Sequence, residues 1–202
     1  MNLQETEKNF NFKFPQKWID ICNTGAMAWL ECSSDEFTAK REIYLSAPNA
    51  FLMLNCDCEP LLFDKISEKI EDLNEWISWC EEDEELSLKE NVKLIPFGQT
   101  GAGDLYCFLY EDGTDAEPKV ILYLHDEYED PDIIGETFEE FLYVQMLSAV
   151  ANDEDIQGEH WQTHLKYLSE DYKNLLINKT ADELINDYDN IEFKQAEIWY
   201  ES

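Results

Sequence analysis

The sequence predicts an α+β fold: a twisted, mostly antiparallel sheet with helices packed against it, followed by a helical C-terminal extension. Three observations predict it. Residues 92–97, 105–110 and 119–124 are apolar runs of strand length joined by short turns, the pattern of an antiparallel meander. Ahead of them Leu62, Ile66, Ile70, Leu73, Ile77 and Cys80 recur at helical spacing. Behind them Thr137 with Glu140 three residues on opens another helix, and Trp161, Leu165 and Leu168 carry helical spacing into the last quarter of the chain. With 202 residues, the chain suits one α+β domain over 1–151 with an extension, 152–202, packed on the same domain.

The elements follow in order. Residues 1–13 are polar with scattered aromatics and read as partly loose. Pro15 opens a short helix, where its missing N–H costs nothing; Trp18, Ile19 and Cys22 form its apolar face and Gly25 stops it. Two strand-like runs, 42–45 and 50–54, flank a turn at Ala47-Pro48-Asn49. The amphipathic helix then ends in five acids, 81–85, which oppose the helix dipole and so read as an exposed, frayed turn. The strand at 105–110 is apolar on both alternations, as a central strand covered on both faces should be. Residues 111–118 form an acidic turn around Gly113, and 125–135 an acidic loop. Phe141, Val144 or Gln145, and Leu147 or Ser148 mark the inner face of the helix after Thr137, and 152–155 reads as a linker. Thr180 with Glu183 is a second capping box, and 191–200 reads as a last strand or a packed arm.

Charge bounds the function. Fourteen basic residues face 46 acidic ones, a net of −32, and Arg41 is the single arginine. Such a surface repels nucleic-acid phosphates, whose binding needs cations to displace counterions. It also repels anionic membranes. It attracts a basic protein and speeds their encounter. The same acidity also serves solubility alone, and composition leaves both readings open. No leader is read in the first ten residues and no apolar stretch is long enough to span a bilayer, so a cytoplasmic location is expected. Six cysteines in such a chain read as reduced, mostly buried thiols.

The motifs of the kind that carry chemistry are incomplete. Gly98, Gly101 and Gly103 lie between two strands, without the lysine of a phosphate loop or the strand–helix context of a dinucleotide loop. Glycines there supply the turn. Cys56 and Cys58 have no second Cys or His pair at zinc spacing. His160 and His164 share a helix face, but Trp161 stands where a zinc protease has glutamate. His125 is followed by acids but no nucleophile accompanies it. No catalytic, cofactor-binding or metal-binding residue is assigned, and the chain reads as a binding protein, not an enzyme.

Four segments in sequence carry a family resemblance. Phe14-Pro15-Gln16-Lys17-Trp18-Ile19, with Asn23-Thr24-Gly25, resembles the opening helix of the SUKH superfamily. The run from Leu94 through Gly103-Asp104 to Phe108 is similar to its strand, Gly-rich turn, Gly-Asp and central strand. Lys119 to Asp126 resembles the next strand with its His-Asp end, and Thr137-Phe138-Glu139-Glu140-Phe141-Leu142 its closing helix. The order and gaps resemble the Smi/Knr-type branch; 26–91 is longer and more acidic than that pattern, and 152–202 runs past its end. The resemblance implies the α+β fold above. It also implies an immunity protein that binds and neutralises a toxin, often a nuclease and so basic, with Gly103 and Asp104 as determinants of the fold. A regulatory or scaffold protein of the same fold is the alternative.

A carboxylate-rich surface suits a protein built to hold polyphosphate. The candidate partner-binding residues are therefore Glu81, Glu82, Asp83, Glu84, Glu85, Glu111, Asp112, Asp115, Asp126, Glu127, Tyr128, Glu129 and Asp130, with Tyr110 and Tyr128 as aromatic anchors. The plain alternative is that these are solvated turns.

Overall fold

The computed structural model describes residues 1–44, 58–83, 86–113, 116–126, 130–152 and 159–200. Its helices are α1 (Leu3–Phe10), α2 (Gln16–Asn23), α3 (Ser34–Tyr44), α4 (Ile66–Asp83), α5 (Phe138–Asn152), α6 (Glu159–Leu165), α7 (Glu170–Ile177) and α8 (Ala181–Asp189), with a 3₁₀ turn at Ala28–Glu31. Its strands are β1 (Glu59–Pro60), β2 (Ser87–Leu88), β3 (Val92–Gln99), β4 (Leu105–Glu111), β5 (Lys119–Tyr123), β6 (Asp132–Gly135), β7 (Lys194–Gln195) and β8 (Trp199–Tyr200). Six strands form one sheet in the order β1-β3-β4-β5-β6-β7, every neighbouring pair antiparallel. β2 and β8 pair as a separate ribbon. This is the expected α+β fold.

Both faces of the sheet are covered, which explains why β4 has no polar alternation. Tyr106 and Phe108 enter one core, beneath Trp18 of α2 and Phe138 and Phe141 of α5. The rings there interlock: Phe97 stacks on Phe108 at 4.3 Å between centroids, and Trp18 meets Phe108 edge-on at 5.7 Å. Leu105, Cys107 and Leu109 enter the other core, beneath Leu73, Ile77 and Cys80 of α4 and Ala196, Ile198 and Trp199 of the tail. Trp161, Leu165, Leu168, Leu176 and Leu184, all beyond residue 152, belong to the first core.

Several expectations are corrected. The N-terminal segment is helix α1, not loose. Asn2 and Glu5 form a reciprocal capping box, with bonds of 2.9 and 3.0 Å. At its other end Asn11 adopts the left-handed conformation, φ 52°, and Lys93 Nζ donates to the carbonyls of Phe10 and Asn11. The strand-like run 42–45 is the end of α3 up to Tyr44. Asp35 and Glu36 favour the α3 N-terminus, and Glu36 pairs with Lys40 one turn on at 2.6 Å. Phe37 and Tyr44, two turns apart, both stack with Trp29. The run 50–54 and the turn before it lie outside the described residues. Helix α4 continues through Asp83 despite its terminal acids, because Ile77 and Cys80 seat its last turns in the second core.

The loop expected over 125–135 becomes strand from Asp132. Ile133 and Ile134 point into opposite cores and β6 pairs with both β5 and β7. Of the expected linker, 152–155, Asn152 is the last residue of α5 and 153–155 lie outside the described residues. The capping box at Thr180 and Glu183 is present, whereas the one expected to open α5 is half formed: Thr137 Oγ1 accepts from the Glu140 amide, but the Glu140 carboxylate accepts from the amide of Glu136, one residue before the cap. The tail combines both readings, since β7 extends the main sheet and β8 crosses to β2. Helix α7 lies in a stretch assigned no element above.

Candidate functional site

The glycine-rich turn between β3 and β4 is held by its own side chains. Thr100 Oγ1 accepts the amides of Ala102 and Asp104 and donates to Asp104 Oδ2 at 3.0 Å. Gly103 sits at φ 107°, a conformation that other residues rarely adopt. Asp104, largely buried, reaches across to the end of β5. Its Oδ1 accepts from His125 Nδ1 at 2.7 Å and from the His125 amide at 3.4 Å. Burial pushes the Asp104 carboxyl up, but the hydrogen bonds from His125 and Thr100 outweigh it and hold the group below its ordinary value. The same bond raises His125, aided by Asp126. With Asp104 ionised, Nδ1 is the donor, and Nε2 is the ring's remaining nitrogen.

Asp104, His125 and Asp126 place one possible ligand atom each within 4.8 Å of one another. Both oxygens of Asp104 are already engaged, by His125 and Thr100. The cluster therefore reads first as a lock between β4 and the loop after β5, which fits the fold role that the Gly-Asp pair was expected to have.

The helix α4 lies against this lock. Trp76 stacks on Tyr123 at 6.3 Å and meets the His125 ring at 5.8 Å. Trp79, one turn on, is 45% exposed. Neither tryptophan was among the expected site residues. The available signal was that both lie off the apolar row Ile66, Leu73, Ile77 and Cys80, on a helix rich in acids outside that row.

The expected partner-binding acids among the described residues lie at more than one place. Asp126 and Asp130 lie at the end of the sheet where β5 finishes, while Glu111 and Asp112 lie at the opposite end, where β4 finishes. The length of β4 separates them by about 20 Å. Asp126, Asp112 and Glu81 are exposed. Glu111 is within 3.7 Å of Lys119. Asp130 has a structural partner: its Oδ1 accepts from the Ile198 amide at 2.8 Å, which ties the tail to the loop before β6. Glu81 Oε1 receives the Leu88 amide at 3.4 Å. Glu82 and Asp83 are the last residues of α4. Glu84, Glu85, Asp115, Glu127, Tyr128 and Glu129 lie outside the described residues. Tyr110, expected as an anchor, turns inward: its hydroxyl donates to the Lys13 carbonyl at 2.7 Å.

Cys58, Cys80 and Cys107 are buried, and Cys22 and Cys32 partly so, and none of these five is in a disulfide. Burial pushes the Cys22 thiol up to about 12. Cys56 lies outside the described residues. His164 is buried on α6. No helix among the described residues is long and apolar enough to cross a membrane.

No curated protein and no solved structure gives a significant match to the chain. A family model described as SUKH_6, SMI1-KNR4 cell-wall, matches residues 1–142, from α1 into α5. That match covers both the opening helix with Trp18 and the Asp104–His125 lock, and the chain belongs to the SUKH family.

Proposed function

We propose that this chain is a non-catalytic immunity protein that acts in the cytoplasm, binding and neutralising a cognate toxin of basic charge through its acidic surface. The observation that carries the reading is a net charge of −32 on a chain of this family. A nuclease active site is built to hold polyphosphate, and carboxylates on a folded surface suit the same cations. Charge of this size steers the encounter, with association rates on the order of 10⁸ M⁻¹s⁻¹ within reach at low salt.

The test is co-expression with a basic toxin domain encoded beside the gene, together with a pull-down at low and at physiological salt. Rescue of growth, with a one-to-one complex that salt weakens, supports the reading. A toxin that kills regardless, and that leaves the chain unbound at both salts, refutes it. The description of the matched family as cell-wall favours a second reading, a regulatory or scaffold protein of the same fold. Recovery of host proteins but no toxin supports that one.

A further inference from the structure

One flank of α4, from its half-buried side out to solvent, carries four neighbouring positions of unusual composition. Asp72 and Trp76, and Glu75 and Trp79, are spaced i, i+4, while Trp76 and Trp79 are spaced i, i+3. Residues so spaced adjoin one another on a helix surface. The core row of the same helix, Ile66, Leu73 and Ile77, faces the sheet, so Trp79, two residues past Ile77, points away from it. A tryptophan left 45% exposed there keeps apolar surface in water that a partner's contact would remove.

The neighbourhood is rigid and acidic. Trp76 is clamped from beneath by Tyr123 and His125, and His125 is held by Asp104. Asp126 follows His125 directly. Glu75 and Asp126 are exposed and make no ion pair among the described residues, whereas Asp72 is held by Lys69 at 3.0 Å. At the far end of the sheet Glu111 faces Lys119 and Tyr110 is tied to Lys13.

We propose that Trp79, with Trp76 and Glu75 on the adjoining turn of α4, is the seat for an arginine side chain of the partner protein. The chemistry selects that occupant. An indole face is the best aromatic surface for a cation, and a planar guanidinium stacks on it while its edges donate to carboxylates. An anionic ligand is repelled by the flanking acids. The proposal rests on the reading of the chain as a binder of a basic protein, and it locates the anchor on α4 and not in the loops at the strand ends.

A short capped peptide alternating glycine and arginine serves as the probe, with glycine–lysine and glycine–glutamate versions beside it. The full chain, labelled with ¹⁵N, reports through the indole N–H signals of its six tryptophans. The Trp79 signal should move first and furthest with the arginine peptide. Trp79→Ala should weaken binding about two- to five-fold, the range for an exposed cation–π contact, and Trp79→Phe should restore part of it. Both variants should unfold at the wild-type temperature, because the side chain is outside the core.

Binding of the arginine peptide that Trp79→Ala leaves unchanged overturns the seat while the acidic-surface reading stands. No binding of either basic peptide, even at low salt, removes that broader reading as well. Equal binding of the lysine peptide, with equal loss in Trp79→Ala, overturns the choice of arginine.

Discussion

Asp104 and His125 are joined by a 2.7 Å hydrogen bond that ties the start of β4 to the turn after β5. The two residues are 21 positions apart, and the bond closes the end of the sheet against which Trp76 of α4 rests.

This bond makes stability depend on pH in a defined window. His125 titrates above its ordinary 6.5, so its contribution is complete below that value and is lost as pH rises through the folded value. Asp104 titrates below its ordinary 3.8, so its contribution is present above that value and is lost as pH falls through the folded one. The stability difference between wild type and His125→Ala should therefore be larger at pH 5.5 than at pH 8.5. Urea unfolding of both proteins at the two pH values reads it, and an equal difference at both would show that the pair adds nothing through its charge. Asp104→Asn should cost about 1–3 kcal/mol, the range for losing bonds to a charged acceptor.

Gly135 allows β6 to turn directly into α5. A Cβ there would lie 2.5 Å from the Phe141 amide nitrogen and 2.8 Å from the Thr137 carbonyl, both backbone atoms. Gly135→Ala must push the start of α5 off the sheet and should destabilise by about 1–3 kcal/mol, as overpacking does. A midpoint in urea within error of wild type would contradict this contact.

Glu139 links the helices. Its Oε1 accepts from Lys17 Nζ at 3.0 Å and from the Ser169 amide at 2.5 Å, and Lys17 also donates to the Tyr167 carbonyl. Glu139→Ala leaves a half-buried lysine and an amide short of an acceptor. It should cost about 1–3 kcal/mol, and Lys17→Met in the same background should then cost less than it does alone. A double-mutant cycle measures this, and additive effects would mean that the contact is not energetically coupled.

Asp130 pins the tail. Asp130→Ala removes the acceptor for the Ile198 amide and should speed hydrogen exchange there, while Phe108 in β4 keeps its protection. Loss of protection at both sites would show that the tail does not open separately from the sheet. Binding to a basic partner should change little, since this carboxylate already serves the fold.

The legible parts of the molecule were those in which one local pattern suffices. The stripe of α4 up to Cys80, the apolar runs of β3, β4 and β5 and the capping box at Thr180 are each complete within a few residues. The run 42–45 misled because β-branched and aromatic residues suit strands as well as helices; the ring stack of Trp29, Phe37 and Tyr44 favours helix. Residues 132–135 read as loop because a four-residue strand among acids shows almost no period.

For the site the division is sharper. Composition alone determined that the protein is strongly acidic, because formal charge is a sum over side chains. Order along the chain determined the α+β class, because periods of 3.6 and 2 residues are local properties. Only tertiary structure decided which acids stand together. It placed Glu111 and Asp126 at opposite ends of the sheet, assigned Asp130 to the tail and brought His125 to Asp104 and Trp76. These contacts join residues far apart in the chain, and they exist only once both faces of the sheet are covered.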